Sequence, residues 1–387
     1  MRRILAAAAL ALLLPACAMA TQITVTEQED AAGGSRLAVF AVEADAVDTV
    51  PGQETEMDAA MLAISAQIEA RFAQQKALTA MNRGTVTQTG SVWQDGKTAS
   101  MALIWQGEQI GGSDGCAAMG LTVSLETGEE ILLEQLFSDW DGALEAMETI
   151  IAEDVLDGMS DYMEYGELLP MPTDNYSFDE YGLTVYWPED RYRYFDGTCG
   201  SVTFYWHELA TFIGEESPVY ALAHPDVPYN VTEIESLCMG GEVTPMLALK
   251  LGELLGSIEN WYKLADPDYT TDALVYPLER VRGYAVEIPK YAETEEGQTP
   301  VSAIRASRVS MAGLLTTGKT TDAEIIALLG EPARELVFDE DAALDAMLEP
   351  GTSLLYEISG RVLQAHVGED GVLSCLILRS AMPESLY

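Results

Sequence analysis

Basic residues are scarce in this chain, and one long stretch has none. The 387 residues include 20 Lys and Arg against 63 Asp and Glu, which gives a formal net charge of −43. Between Thr98 and Asp190 there is no Lys or Arg, whereas 21 Asp and Glu fall in that stretch. Such a surface repels phosphate backbones and anionic lipid, so no nucleic acid partner is expected. A cationic partner would be attracted, and the alternative is that the acidity only keeps the protein soluble.

Cysteine and histidine are also few, and their spacing argues against a metal site. Beyond Cys17 there are four cysteines, without a Cys-x-x-Cys pair and without a histidine at ligand spacing, so no metal is expected. In an oxidising exterior the even count favours two disulfides. The domain division below favours Cys116 with Cys199 and Cys238 with Cys375. Free buried thiols are the alternative.

The short motifs of common catalytic sites are missing. There is no glycine-rich phosphate loop and no Gly-x-Ser-x-Gly elbow, and His207-Glu208 is not followed by the second histidine of a zinc-protease helix. Paired carboxylates could hydrolyse glycosides, but among 63 acids any pairing is uninformative. The sequence therefore predicts a protein that is not an enzyme and has no cofactor, with a cell-wall carbohydrate-active enzyme as the alternative.

Long apolar runs are limited to the start of the chain. Arg2 and Arg3 precede an apolar run over 4–14 that is too short to span a membrane and is typical of a signal peptide, predicted over 1–20. The sequence Leu-Pro-Ala-Cys over 14–17 resembles the lipobox of bacterial lipoproteins, with Cys17 as the lipidated residue. Ala-Met-Ala over 18–20 offers the cleavage site of a secreted protein instead. Both alternatives place the protein outside the cytoplasm, and a lipid anchor is the only membrane attachment expected.

The length of the chain predicts two folded units. We expect a polar tether over 21–35, a first unit over 36–225 and a second over 226–387. Alternating apolar runs interrupted by helical periods favour an α+β fold of two domains, each an antiparallel sheet packed with helices.

In the first unit the sequence predicts a strand over 36–42, a helix over 54–81 and a hairpin at Asp95-Gly96. A further strand is predicted over 119–125, and a second, acidic helix over about 142–163, capped near Ser138 or Asp139. One apolar stripe on the first helix is expected to be buried; it comprises Met57, Met61, Ile64, Ile68 and Phe72.

Aromatic residues concentrate between Tyr176 and Trp206, which hold eleven of the chain's 31. Two β-rich runs, 182–187 and 200–206, flank a polar loop, as in two strands joined by a loop. Most of the rings are expected to fill a core, while a wet aromatic surface would be suited to binding. In the loop over 188–195, charged and aromatic residues alternate without the periodicity of a buried strand or helix, so some side chains are expected to project outward. The candidate ligand-binding residues are Pro188, Arg191, Tyr192 and Tyr194.

The order of elements over 36–214, with the runs Leu125–Phe137, Phe178–Trp187 and Val202–Leu209, resembles a family of extracellular bacterial domains. This is the domain shared by the lysozyme-sensing anti-sigma factor RsiV and the non-catalytic part of the peptidoglycan deacetylase PdaC. The resemblance implies an exported α+β module at the cell surface that in one case binds lysozyme. The chain has no counterpart of the deacetylase domain, so carbohydrate hydrolysis is not implied.

The second unit contains two short helices predicted to end at a glycine, over 249–257 and 321–332, each followed by strands. This pattern resembles two copies of the helix-plus-sheet repeat of SmpA-type lipoproteins and the β-lactamase inhibitor protein, which implies a protein-binding sheet surface. Together the patterns predict an exported binding or sensor protein whose partner is a cationic protein such as lysozyme or a cell-wall fragment. A passive scaffold lipoprotein is a further alternative.

Overall fold

Antiparallel sheets covered by helices make up the chain, which is the α+β class predicted from the sequence. The computed structural model describes residues 21–29, 35–44, 54–73, 86–108, 114–152, 168–187, 200–224, 231–245, 247, 249–278, 281–292 and 294–382. The predicted signal peptide with Cys17 lies outside the described residues. Among the described helices, none is both long and apolar enough to cross a membrane.

A five-stranded sheet begins the fold, with its strands side by side in chain order. They are β1 (Thr21–Glu29), β2 (Arg36–Ala44), β3 (Val86–Gln94), β4 (Thr98–Glu108) and β5 (Asp114–Ser124). All neighbours pair antiparallel except β2 and β3, which meet in parallel at Arg36 and Thr87. The β3–β4 turn lies at the predicted Asp95-Gly96, where the Asp95 carboxylate accepts the backbone N–H of Lys97 at 2.7 Å and of Thr98 at 2.6 Å.

The first strand corrects one prediction. Residues 21–29, expected within a polar tether, pair with β2 along their whole length. Ile23 is buried in the core beneath the sheet, because the β-branched residues Ile23 and Val25 alternate with polar ones and give the segment one apolar face. The segment is therefore part of the sheet.

Helix α1 (Glu54–Arg71) begins at the predicted residue, while 74–85 lie outside the described residues. Three residues of its predicted stripe belong to the core against the five-stranded sheet: Ile64 is fully buried, Ile68 packs against that core, and Phe72, just beyond the helix, stacks on Phe40 of β2 with ring centres 5.1 Å apart.

A second layer packs on the other side of the five-stranded sheet. It comprises α2 (Trp140–Ile150), β6 (Tyr176–Phe178), β7 (Gly182–Tyr186), β8 (Ser201–Tyr205), α3 (Trp206–Leu209) and α4 (Tyr220–Ala223). The predicted cap is confirmed, since the Asp139 carboxylate accepts the backbone N–H of Gly142 at 3.1 Å. Hydrogen bonds join the two layers: the backbone N–H of Phe178 donates to Ser100 Oγ at 2.7 Å, and that of Gly120 donates to Asn175 Oδ1 at 2.8 Å. The side-chain amide of Asn175 in turn donates to Ala118 O at 3.2 Å.

The second unit contains one eight-stranded antiparallel sheet, ordered β15-β16-β17-β18-β12-β11-β10-β9. Its strands are β9 (Asp268–Tyr269), β10 (Ala273–Pro277), β11 (Tyr284–Pro289), β12 (Ala303–Ala306), β15 (Arg334–Phe338), β16 (Gly351–Ile358), β17 (Arg361–Gly368) and β18 (Leu373–Arg379), and a separate hairpin joins β13 (Ser310–Met311) to β14 (Leu315–Thr316). Helices α5 (Val231–Gly240), α6 (Leu255–Tyr262), α7 (Asp322–Leu329) and α8 (Glu340–Ala346) accompany it.

The sheet consists of two halves with the same order of strands, and the second half has α8 between its first two strands. Each half is a helix, α6 or α7, followed by four antiparallel strands whose last member, β12 or β18, lies at the centre. These last strands pair antiparallel with each other, which relates the halves by an approximate two-fold axis. Each half thus has a short helix followed by strands, as predicted, although the first helix begins later in the chain than expected.

The two predicted repeat helices have different outcomes. Helix α7 is confirmed, with Thr321 and Glu324 forming a capping box and Gly330 following its last residue. The helix predicted over 249–257 is wrong: Gly252 has a φ of +86°, its N–H donates to Val301 O at 2.9 Å, and α6 begins only at Leu255. Pairing across the fold therefore takes the backbone groups that a helix would have used.

The predicted disulfide between Cys238 and Cys375 is wrong, since both thiols are free and buried. Cys238 of α5 lies in the core on one face of the eight-stranded sheet, whereas Cys375 of β18 packs with Ala303 and Ile377 on the opposite face. Side chains alternate between faces along a strand, so the sheet itself separates the two sulfurs. Burial raises the pKa of Cys238 to about 12 and of Cys375 to about 11.

The face of the sheet that carries Cys375 also holds a buried ion network. Glu287 of β11 is paired with Arg305 of β12 and with Arg379 of β18, whose guanidinium lies 2.7 Å from the carboxylate. Arg305 also donates to the carbonyl of Ala346 at 2.8 Å, at the end of α8. The network links β11, β12 and β18 to one another and to the end of α8.

Candidate functional site

The loop predicted to bind ligand lies outside the described residues. This applies to Pro188, Arg191, Tyr192 and Tyr194, and also to Cys199. Cys116 lies on β5, and its pairing with Cys199 stays a prediction. The strands on either side of the loop are described and pair antiparallel as predicted, with Tyr186 opposite Ser201 at the loop end.

The aromatic side chains of these strands form a core. Phe178 contacts Trp93 and Trp206, with ring centres 5.0 and 5.8 Å apart, and the indole N–H of Trp187 donates to Leu168 O at 3.0 Å. Tyr186 is buried, which raises its pKa to about 12. Of the described aromatic residues of the stretch, Tyr181 alone is partly exposed. The interpretation as core is confirmed, and these strands offer no wet aromatic face.

An acidic groove runs along the outer side of α2. It has a volume of about 390 Å³, and it is lined by Asp141, Leu144, Glu145, Glu148, Thr149 and Ala152. Met147 and Ile151 are buried and so orient the helix, while Asp141 and Glu145 face solvent. The described residues that line the groove include no Lys or Arg, as expected from a stretch without basic residues. The groove can attract a cation through its field.

The two units meet at the end of β8. Tyr205 belongs to the core of the second unit, where its hydroxyl donates to Arg282 O at 3.0 Å and its ring contacts that of Tyr284 edge-on. The guanidinium of Arg282 lies over the Tyr205 ring, 5.3 Å from its centre. Lys319 Nζ donates to His207 O at 2.5 Å. We call Tyr205, His207, Glu208, Arg282 and Lys319 the junction.

Buried charge distinguishes the junction. Glu208 Oε2 accepts the backbone N–H of Tyr205 at 2.9 Å and the guanidinium of Arg282 at 2.5 Å, while Oε1 is buried and has no hydrogen-bond partner among the described atoms. The pKa of His207 is lowered from 6.5 to about 4, because burial disfavours the imidazolium and Lys319, Arg282 and Arg308 repel it, despite the attraction of Glu208. His207 is therefore neutral at physiological pH.

A cleft of about 510 Å³ opens beside the junction, at one end of the eight-stranded sheet. One wall carries Arg282, just before β11, and Arg308, just after β12; Tyr284 pairs with Ala306, so these two positions lie side by side. The other wall carries Glu349, before β16, and Asp370, in the β17–β18 turn. Sequence reasoning missed these residues, since they lie up to 88 positions apart and share no local pattern.

In the described residues, the acidic groove and the cleft both lack the grouped side chains of a metal centre. Within the described part of the chain, no group of three or more His, Cys, Asp or Glu side chains is placed to hold a metal ion.

Comparison with known proteins gives distant structural neighbours. No family profile and no curated protein matches the sequence. A DUF4309 family protein, YjgB of Bacillus subtilis, is 13% identical with a TM-score of 0.27, over 38% of this chain and 94% of that one. Two DUF3298 family proteins are also similar. The one from Bacteroides fragilis is 12% identical with a TM-score of 0.29, over 53% of this chain and 98% of that one. The one from Pseudomonas aeruginosa is 9% identical with a TM-score of 0.31, over 51% and 95%.

These neighbours are named for domains of unknown function, and at such TM-scores they carry no argument about activity. The resemblance to RsiV, PdaC and the SmpA-type lipoproteins stays a prediction. The chain is an α+β protein whose structural neighbours include members of the DUF3298 and DUF4309 families.

Proposed function

We propose that this chain is an exported, non-enzymatic binding or sensor protein of the bacterial cell surface, held by a lipid at Cys17 or secreted. Its ligand is a cationic protein such as lysozyme, or a cell-wall component. The observation that carries the proposal is the acidic groove on α2, within a stretch of 93 residues that has 21 Asp and Glu and no Lys or Arg.

The groove supports a partner that is itself positively charged. Asp141 and Glu145 are exposed, while α2 is fixed beneath them by buried Met147. Surface charges on a rigid element steer an oppositely charged partner and raise its association rate. They add little affinity each, so specific binding also needs contacts that persist when salt screens the field.

The experiment is a binding measurement with the mature protein, from Thr21 onward, and lysozyme. Asp141→Asn with Glu145→Gln removes two groove charges at constant size. Two exposed charge pairs of about 0.2–1 kcal/mol each predict roughly 2- to 30-fold weaker binding. The matched control is Glu340→Gln with Asp341→Asn, which removes two exposed charges at the start of α8 and should leave binding unchanged. If both double variants weaken binding equally, the groove contributes only through the overall negative charge of the protein.

The predicted loop adds a separate contact in this proposal. Tyr192→Ala with Tyr194→Ala is expected to weaken ligand binding, and unchanged binding would remove the loop from the site. Turnover of purified peptidoglycan by the protein would favour the alternative of a carbohydrate-active enzyme.

A further inference from the structure

The cleft at the end of the eight-stranded sheet is distinct from the acidic groove and from the predicted loop. Its volume of about 510 Å³ falls in the range of roughly 300–1,000 Å³ typical of small-molecule pockets. It lies beside the junction of the two units, and such boundaries are common positions for ligands.

Charge divides the cleft into two walls. Arg282 and Arg308 come from the loops at the ends of β11 and β12, and Glu349 and Asp370 come from the second half of the sheet. Arg282 is held in place by Glu208 and by the ring of Tyr205. Because its guanidinium is already oriented, little side-chain entropy remains to be lost when a ligand binds.

The two walls select a ligand with charges of both signs. A simple anion would meet Glu349 and Asp370, in a protein of net charge −43, and a simple cation would meet the arginines. A carboxylate matches the donor geometry of a guanidinium, and an ammonium matches carboxylate acceptors. We propose that the cleft binds the charged ends of a free amino acid or short peptide, its carboxylate on the Arg282–Arg308 wall and its ammonium on the Glu349–Asp370 wall. This proposal does not depend on the function assigned to the acidic groove.

The probe is the dipeptide alanyl-alanine, titrated into the mature protein and followed by calorimetry. Two blocked forms accompany it: the N-acetyl dipeptide, which lacks the ammonium, and the dipeptide amide, which lacks the carboxylate. Each removes one charge-assisted contact, so each should bind about tenfold or more weakly than the free dipeptide.

Two variants test the walls separately. Arg308→Gln should reduce the preference for the free carboxylate, and Asp370→Asn the preference for the free ammonium, since Arg282 and Glu349 remain. Asparagine keeps an oxygen to accept the Val372 N–H, which Asp370 Oδ1 receives at 2.9 Å, so the turn is preserved. Arg334→Gln and Asp341→Asn, exposed on β15 and α8, are the matched controls and should bind like the unaltered protein.

Saturable binding that needs both free ends and both walls supports the proposal. Absence of saturable binding, or equal binding of free and blocked dipeptides, overturns it. Thermal unfolding of each variant shows whether it is folded, and if Arg308→Gln is not, the blocked dipeptides and Asp370→Asn still decide the outcome.

Discussion

Replacing Glu287 by glutamine should destabilise the second unit more than any surface substitution. The carboxylate is 3% exposed and is shared by Arg305 and Arg379, whose side chains are 8% and 13% exposed. Glutamine keeps the size but removes the charge, so two guanidinium groups stay buried without their counter-ion.

The size of the effect follows from that burial. Removing one partner of a buried ion pair costs about 3–5 kcal/mol, because the remaining charge is uncompensated. At roughly 2–4 °C per kcal/mol for a unit of this size, the melting temperature should fall by about 6–20 °C. Replacing all three side chains by methionine should cost far less, since no charge is then left buried.

The pH dependence has a defined sign. Burial alone would raise the pKa of Glu287, but Arg379 and Arg305 outweigh it and hold that pKa below its ordinary value of 4.5. The unfolded chain therefore binds the proton first as the pH falls. The stabilisation is fully present above about pH 4.5 and is lost as the pH falls through the folded-state pKa.

Urea unfolding of the unaltered protein, Glu287→Gln and the exposed control Glu335→Gln, at pH 7 and at pH 4, tests both statements. We expect a large loss for Glu287→Gln at pH 7, a smaller difference from the unaltered protein at pH 4, and no effect of Glu335→Gln. If Glu287→Gln lowers the free energy of unfolding at pH 7 by less than about 1 kcal/mol, the reasoning is refuted, because a loss that small is typical of a solvent-exposed ion pair.

Three further predictions concern packing, titration and thiols. Gly120→Ala should destabilise by at least about 1–3 kcal/mol in urea unfolding, since its Cβ would lie 2.0 Å from the backbone oxygen of Tyr176; Gly96→Ala, with nothing within 4 Å of the new Cβ, should have little effect. By NMR, the His207 side chain should stay neutral until about pH 4. The free energy of unfolding should therefore fall as the pH drops from 6.5 to 4, because the unfolded chain binds the proton in that range and the folded chain does not. Titration of His207 near pH 6.5 in the folded protein would contradict this. The two buried cysteines of the second unit should react with a thiol reagent only on unfolding.

Local signals were enough for elements whose backbone bonds close within a few residues. Asp95 and Asp139 accept backbone N–H groups two or three residues on, and Thr321 and Glu324 satisfy each other across one helical turn. Such contacts are encoded by neighbouring residues, so the turn, the cap near Asp139 and the short helix α7 could be predicted from the sequence.

The features that could not be predicted from the sequence depend on contacts between residues far apart in the chain. The backbone N–H of Gly252 bonds to Val301 O and so prevents the predicted helix. The polar residues of 21–29 favour a tether, but their pairing with β2 makes the segment a strand. The disulfide prediction followed from domain membership, which does not specify the face of the sheet where each sulfur lies. The cleft lies where distant strand ends meet, and the ion network joins three strands across one face of the sheet. Neither is marked by a local periodicity in the sequence.

The central claim, that the acidic first unit captures a cationic protein, is tested most directly by titrating lysozyme into the mature protein at low and at near-physiological salt. The account predicts binding that weakens with salt but remains saturable at physiological ionic strength, where charges more than about 8 Å apart are largely screened. Binding that disappears at physiological salt, or that is absent at both, would contradict the claim and leave the negative charge as a means of keeping the protein soluble.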